Sequence, residues 1–106
     1  MIKKIRLMLS FQTFPMWLYD ENDNIIDNDM PEEWSDDKEL EKNLMDISDL
    51  FDSLFVNTSK NFEYKGFKNN KRKETFINSL NNVYQKIIEK NNNKYIIVND
   101  FNIIDL

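Results

Sequence analysis

With 106 residues, the chain is long enough for one domain that buries a core of its own. It contains no cysteine and no histidine, which excludes a disulfide framework and the usual zinc sites and removes the commonest general base. The net charge of −5 is unevenly spread: residues 20–52 carry fourteen Asp/Glu against Lys38 and Lys42, whereas residues 53–106 carry nine Lys/Arg against five Asp/Glu. A contiguous acidic third of this kind steers cationic partners and repels nucleic acid.

The first residues, MIKKIRLMLSFQTFPMWLY, have the basic start and apolar character of a secretory signal. Arg6, Ser10, Gln12, Thr13 and Pro15 interrupt the apolar run, however, and no small-residue cleavage site follows. No stretch approaches the length of a membrane span, so a soluble, cytoplasmic protein is expected. Ile2 to Phe11 alternates as a first strand, with Ile5, Leu7, Leu9 and Phe11 on one face. Pro15 marks a break or an edge position because it cannot donate to a ladder. Met16 to Tyr19 reads as a second strand and Asp20 to Asn24 as turn chemistry, with Asn24 in the left-handed position; Ile25 and Ile26 return as a third strand.

Asp27 to Pro31 leaves the sheet. Ser35 is the expected cap of a first helix, with Asp36, Asp37 and Glu39 at the positive end of its dipole. Leu40, Leu44, Ile47, Phe51 and Leu54 recur at spacings of three and four, giving an amphipathic helix of about five turns. Phe62 to Phe67 alternates as a short strand that presents its aromatics to the core, with Gly66 at a bulge or strand end. Asn69 or Asn70 caps a second helix with Phe76, Leu80, Val83, Tyr84 and Ile87 on its buried face, and Asn91 to Asn93 end it. Tyr95 to Val98 is a last strand, which Phe101 to Ile104 extend past a bulge or leave to pack separately. The order is β-β-β-α-β-α-β, with no linker or repeat, in a single domain spanning residues 1–106. Two amphipathic helices need a surface on which to bury their stripes, so the expected fold is a two-layer α+β domain. Its sheet is antiparallel-rich, with four to five strands and both helices on one face.

No nucleophile and base pair is recognisable, and no cofactor motif is present, so the expectation is a binding protein and not an enzyme. Asp20, Asn22 and Asn24 stand at the first, third and fifth positions of an EF-hand-like loop, but Ile25 replaces its glycine and Pro31 its bidentate glutamate; a polar hairpin turn is expected and no metal. The basic run Lys68 to Lys73, with Phe62, Tyr64 and Phe67 nearby, has the composition of a nucleic-acid patch, yet a pI near 4.7 favours solvated lysines beside core aromatics. Neither helix is basic enough for a membrane surface.

The acidic arm is the main functional candidate. Twelve net negative charges in 33 residues oppose folding by self-repulsion, which points to a compensating use in partner binding. Asp20, Glu21, Asp23, Asp27, Asp29, Glu32, Glu33, Asp36 and Asp37 are assigned to steering. Trp34, amid these charges, is either an interface anchor or a core residue stapled to the helix start, and is placed with the partner-binding set as the anchor.

The stretch FPMWLYDENDNIIDNDMPEEW and the following SDDKELEKNLMDISDLFDSLFVN resemble small cytoplasmic immunity proteins of Gram-positive polymorphic toxin systems. The resemblance covers about half of the chain, and Asn24 stands where a hairpin glycine is expected. It implies an inhibitor that binds a cognate protein toxin directly and occludes a cationic active site, such as that of a nuclease, by imitating phosphate charge. Two other readings are a phage-encoded acidic mimic of nucleic acid that inhibits a host nuclease or transcription factor, and a small metal-binding regulator. The oligomeric state is left open.

Overall fold

The structure, a computed structural model, describes residues 1–58 and 60–101. Six strands and two helices follow in the order β1 (Lys4–Met8), β2 (Met16–Tyr19), β3 (Ile25–Asp27), α1 (Lys38–Asp52), β4 (Phe55–Asn57), β5 (Phe62–Tyr64), α2 (Asn70–Asn91) and β6 (Ile96–Asp100). A 3-10 turn, Glu32–Trp34, precedes α1. The fold is therefore α+β, as expected, but its strands divide differently. A four-stranded sheet has the order β3-β2-β1-β6, and β4 and β5 form a separate two-stranded sheet.

β1 pairs antiparallel with β2 and parallel with β6. The main sheet is consequently mixed, because α2 returns the chain to the end at which β1 started. Alternation holds in the centre: Ile5 and Leu7 of β1 and Met16 and Leu18 of β2 are buried, and they join the buried stripes of α1 and α2 in one cluster. Their neighbours Arg6 and Trp17 face each other in register on the opposite side of the sheet. The expected first strand is cut short at Met8, and Gln12 adopts φ 57° in the turn that follows.

The first helix also stops earlier than its periodicity suggests. α1 ends at Asp52, where Ser53 takes its cap position, and Leu54 is buried beyond the helix. The carbonyl of Leu54 accepts from the backbone amides of Lys65 and Gly66 at 2.6 and 3.1 Å. Those two bonds satisfy a carbonyl just past the helix end that would otherwise be orphaned, and they tie the β4–β5 hairpin to the end of α1. α2 matches expectation more closely. Asn69 caps it, its side chain accepting from the Arg72 amide at 2.9 Å, and Asn92 closes it in the left-handed region at φ 45°.

Gly66 adopts φ 76°, and a Cβ placed there would lie 3.3 Å from the Tyr64 hydroxyl and 3.4 Å from its ring. The left-handed backbone favours glycine at this site, and a Cβ there would also press lightly on the partly exposed Tyr64 ring. Gly66→Ala is expected to cost about 1–2 kcal/mol from the left-handed backbone alone, and to lower the thermal midpoint by roughly 4–8 °C per kcal/mol. An unchanged midpoint in a calorimetric scan would contradict this geometry.

Candidate functional site

The hairpin between β2 and β3 is built by one carboxylate. Asp20 accepts from the amides of Asn22 and Asn24, both at 2.9 Å, while its own amide donates to the Asn24 carbonyl at 3.0 Å. The Asn24 amide, then burial opposing it, then the Asn22 amide set the balance on Asp20, whose pKa is lowered. Asp23, rather than Asn24, takes the left-handed position, with φ 62°. Asp23 also pairs with Lys4 at 2.7 Å. Two of the expected partner-binding residues are thus engaged within the turn. The EF-hand-like spacing resolves into an Asx-type turn, and among the described residues no three acidic side chains converge on a metal-sized site.

β3 lies at the sheet edge with all three residues exposed. The arm that follows is fastened by Asn28. Its side-chain carbonyl accepts from the Phe14 amide at 3.0 Å, and its amide donates to the carbonyls of Phe14 and Met16 at 2.6 and 2.9 Å. One side chain thereby replaces the ladder bonds that a neighbouring strand would make. Met30 and Pro31 are buried directly afterwards, so the arm is held at both ends while Asp27, Asp29 and Glu32 are exposed.

Those three carboxylates meet at one cleft. Together with Glu41 they line a cavity of about 360 Å³ whose apolar lining is Ile2, Leu18, Ile26 and Met30. Glu41 pairs with Lys38 at 3.6 Å. Asp27, Asp29 and Glu32 enter no ion pair among the described residues. An apolar floor under unneutralised carboxylates is suited to a lysine or arginine side chain, whose stem packs on the floor while its charged head meets the rim.

The rest of the acidic set is placed differently. Glu33 binds both Lys94 and the Tyr95 hydroxyl, Asp37 pairs with Lys90 at 3.1 Å, and Glu39 pairs with Lys86 at 3.0 Å. These bridges join the start of α1 to the end of α2, so the helices run antiparallel with acidic and basic groups at the dipole ends that favour them. Much of the expected field is therefore neutralised within the molecule. Glu21 and Asp36 are exposed but outside the cleft lining. Lys86 and Lys90 lie on the last turns of α2 and Lys94 just beyond its cap, and nothing in the sequence marks the three as facing the arm.

Trp34 is only 5% exposed and lies in the core, its ring meeting Tyr95 edge-on at 6.2 Å. The expected anchor is thus a structural residue: the 3-10 turn rotates its indole inward before α1 begins. The cap also moves. Ser35 closes the 3-10 turn, its amide donating to the Glu32 carbonyl, and Asp37 caps α1 by accepting from the Leu40 amide at 3.0 Å.

The pKa of Asp37 is lowered, first by the Leu40 amide and then by Lys90. A folded-state value below the ordinary 3.8 means that its stabilisation is complete above pH 3.8 and lost as pH falls through the folded value. Asp37→Ala is expected to cost about 1–2 kcal/mol at pH 7. Urea titrations should show that deficit shrinking below pH 3.8, and a deficit unaffected by acid would rule out the charged cap.

At the other pole, Phe62 is 55% exposed and Tyr64 39% exposed, contrary to their expected place in the core. Their strand pairs with β4 instead of joining the main sheet. Phe62 stacks on Phe55 at 5.2 Å and meets Phe11 edge-on at 4.8 Å, making an aromatic cluster at the surface. Of the three aromatics, Phe67 does pack against the core, beside Phe76 at 5.5 Å.

No helix among the described residues is long and apolar enough to cross a membrane. No protein-family model and no curated protein matches the sequence.

Proposed function

We propose that this chain is an immunity-type inhibitor, acting in the cytoplasm, that binds a cognate protein toxin and occludes its cationic active site. The single observation that carries the reading is the cleft at which Asp27, Asp29 and Glu32 gather above an apolar floor, without cationic partners among the described residues. In a two-layer arrangement with both helices on one face of the sheet, the edge strand β3 and its arm are left at the rim for contact. The chain performs no chemistry of its own in this reading. A toxin lysine or arginine inserts into the cleft, and the exposed Glu21 and Asp36 add to the field that accelerates encounter. The paired residues Asp23, Glu33 and Asp37, the turn residue Asp20 and the core residue Trp34 support the surface and do not contact the toxin.

The partner is to be sought as the product of the adjacent gene, co-expressed with this chain. The expected result is protection of growth and a stable complex. The triple variant Asp27→Lys, Asp29→Lys, Glu32→Lys should weaken the complex by roughly 100-fold or more, mainly at low salt, given the coupling of close charge pairs across interfaces. Its far-UV circular dichroism should match the parent, because all three side chains are exposed. Undiminished affinity of the triple variant would remove this face from the mechanism.

A further inference from the structure

We propose that a second cavity, at the opposite pole from the acidic cleft, is a binding site for an anionic amphiphile: a single aliphatic chain ending in a carboxylate. The cavity has a volume of about 630 Å³ and opens between the end of α1, the loop after β5 and the start of α2. That size lies within the range of small-molecule sites. Its apolar lining comes from Leu50, Leu54, Phe67 and Phe76. Leu50 is 50% exposed, an unusual cost for a leucine on a helix that otherwise buries its stripe, and covering it gives the ligand's chain a favourable contact.

The polar lining is of one sign. Lys65, Lys68, Lys71 and Arg72 surround the apolar part, and none of them enters an ion pair among the described residues. By contrast, the seven ion pairs seen among the described residues use Lys4, Arg6, Lys38, Lys42, Lys86, Lys90 and Lys94, all elsewhere on the molecule. Four unneutralised cations around an apolar hollow call for a ligand with an apolar body and an anionic head. The positive end of the α2 dipole adds to the same preference.

The loop that forms the wall is pinned in place. Leu54 accepts from the amides of Lys65 and Gly66, and Asn69 caps α2. The site is therefore built before a ligand arrives, which lowers the ordering cost of binding. Overall charge decides between a compact anion and a polyanion. A chain of net charge −5 repels an extended nucleic acid over many residues, while the local rim still attracts one carboxylate.

The test is calorimetric titration of the full chain with dodecanoate, below its micelle concentration, against dodecyltrimethylammonium and acetate. Dodecanoate is expected to bind in roughly the ten-micromolar range, and the other two at least about tenfold more weakly, since one lacks the charge-assisted contacts and the other the buried chain. Lys68→Glu with Arg72→Glu should weaken dodecanoate at least about tenfold. Thr75→Trp, from an exposed position in the lining, should do the same by filling the hollow without altering charge. Equal binding of the cationic amphiphile would overturn the proposal, as would unchanged affinity in both variants. So would displacement of dodecanoate by an oligothymidylate or a polyglutamate peptide that binds more tightly. Should a variant fail to fold, the comparison of head groups on the parent chain decides alone. The outcome is independent of the toxin experiment, which reads the opposite pole.

Discussion

Trp34→Ala is expected to remove about 3–5 kcal/mol of stability, the usual cost of truncating a large buried aromatic. The residue is almost wholly covered, belongs to the main core cluster and meets Tyr95 edge-on. Tyr95 is in turn bound through its hydroxyl to Glu33 and through its backbone to the buried side chain of Asn91. The indole therefore supports the place where the acidic arm, α1 and the chain entering β6 come together. For a domain whose total stability is of the order of 5–15 kcal/mol, such a loss brings it near unfolding. Urea denaturation should show a midpoint reduced in proportion, with little change of slope. If Trp34 were an interface anchor instead, the variant would keep its midpoint and lose only affinity for the partner. A stability loss below about 1 kcal/mol, the level typical of surface changes, would therefore return it to the surface.

Asn28→Asp should cost about 2–4 kcal/mol although it changes one atom group, because two of the three side-chain hydrogen bonds need the amide as donor. The side chain now donates twice, to the carbonyls of Phe14 and Met16. A carboxylate can donate to neither, and at neutral pH it sets a negative charge against both oxygens. Asn28→Ala leaves the same carbonyls unpaired without the repulsion, and it also deprives the Phe14 amide of its acceptor. In the Ala variant hydrogen exchange is expected to speed at the Phe14 amide, which loses the Asn28 carbonyl as its acceptor. In the Asp variant, acid should recover part of the loss by neutralising the new charge, whereas protonating Asp37 removes stability from the parent. A substitution that leaves both exchange and stability unaltered would show that the arm is held by something other than this side chain.

Periodicity carried the helices well. The stripe of α1 and that of α2 are buried where spacing placed them, and the asparagines at Asn69 and Asn92 cap as their chemistry suggests. The centre of β1 and β2 was legible for the same reason: alternation at Ile5, Leu7, Met16 and Leu18 is a local property of a strand with one face buried. The acidic arm was also legible as a charge pattern, and the cleft contains three residues taken from that pattern. Glu41, Ile2 and Leu18 were not, because they come from α1, the first residues of the chain and β2, and nothing local marks them as neighbours of the arm.

What the sequence by itself determined is the set of elements with a strong period, the absence of cysteine and histidine chemistry, and the sign of the charge on each third of the chain. Only the tertiary structure decided how those charges are used. The antiparallel packing of α1 and α2 brings Lys86, Lys90 and Lys94 against Glu39, Asp37 and Glu33, which neutralises one side of the arm and leaves Asp27, Asp29 and Glu32. It also separated β4 and β5 from the main sheet, since the Leu54 carbonyl binds the loop after β5 and holds the hairpin at the end of α1. Charge composition is additive along a chain, but pairing depends on which faces meet, and that is settled by burial of the helix stripes.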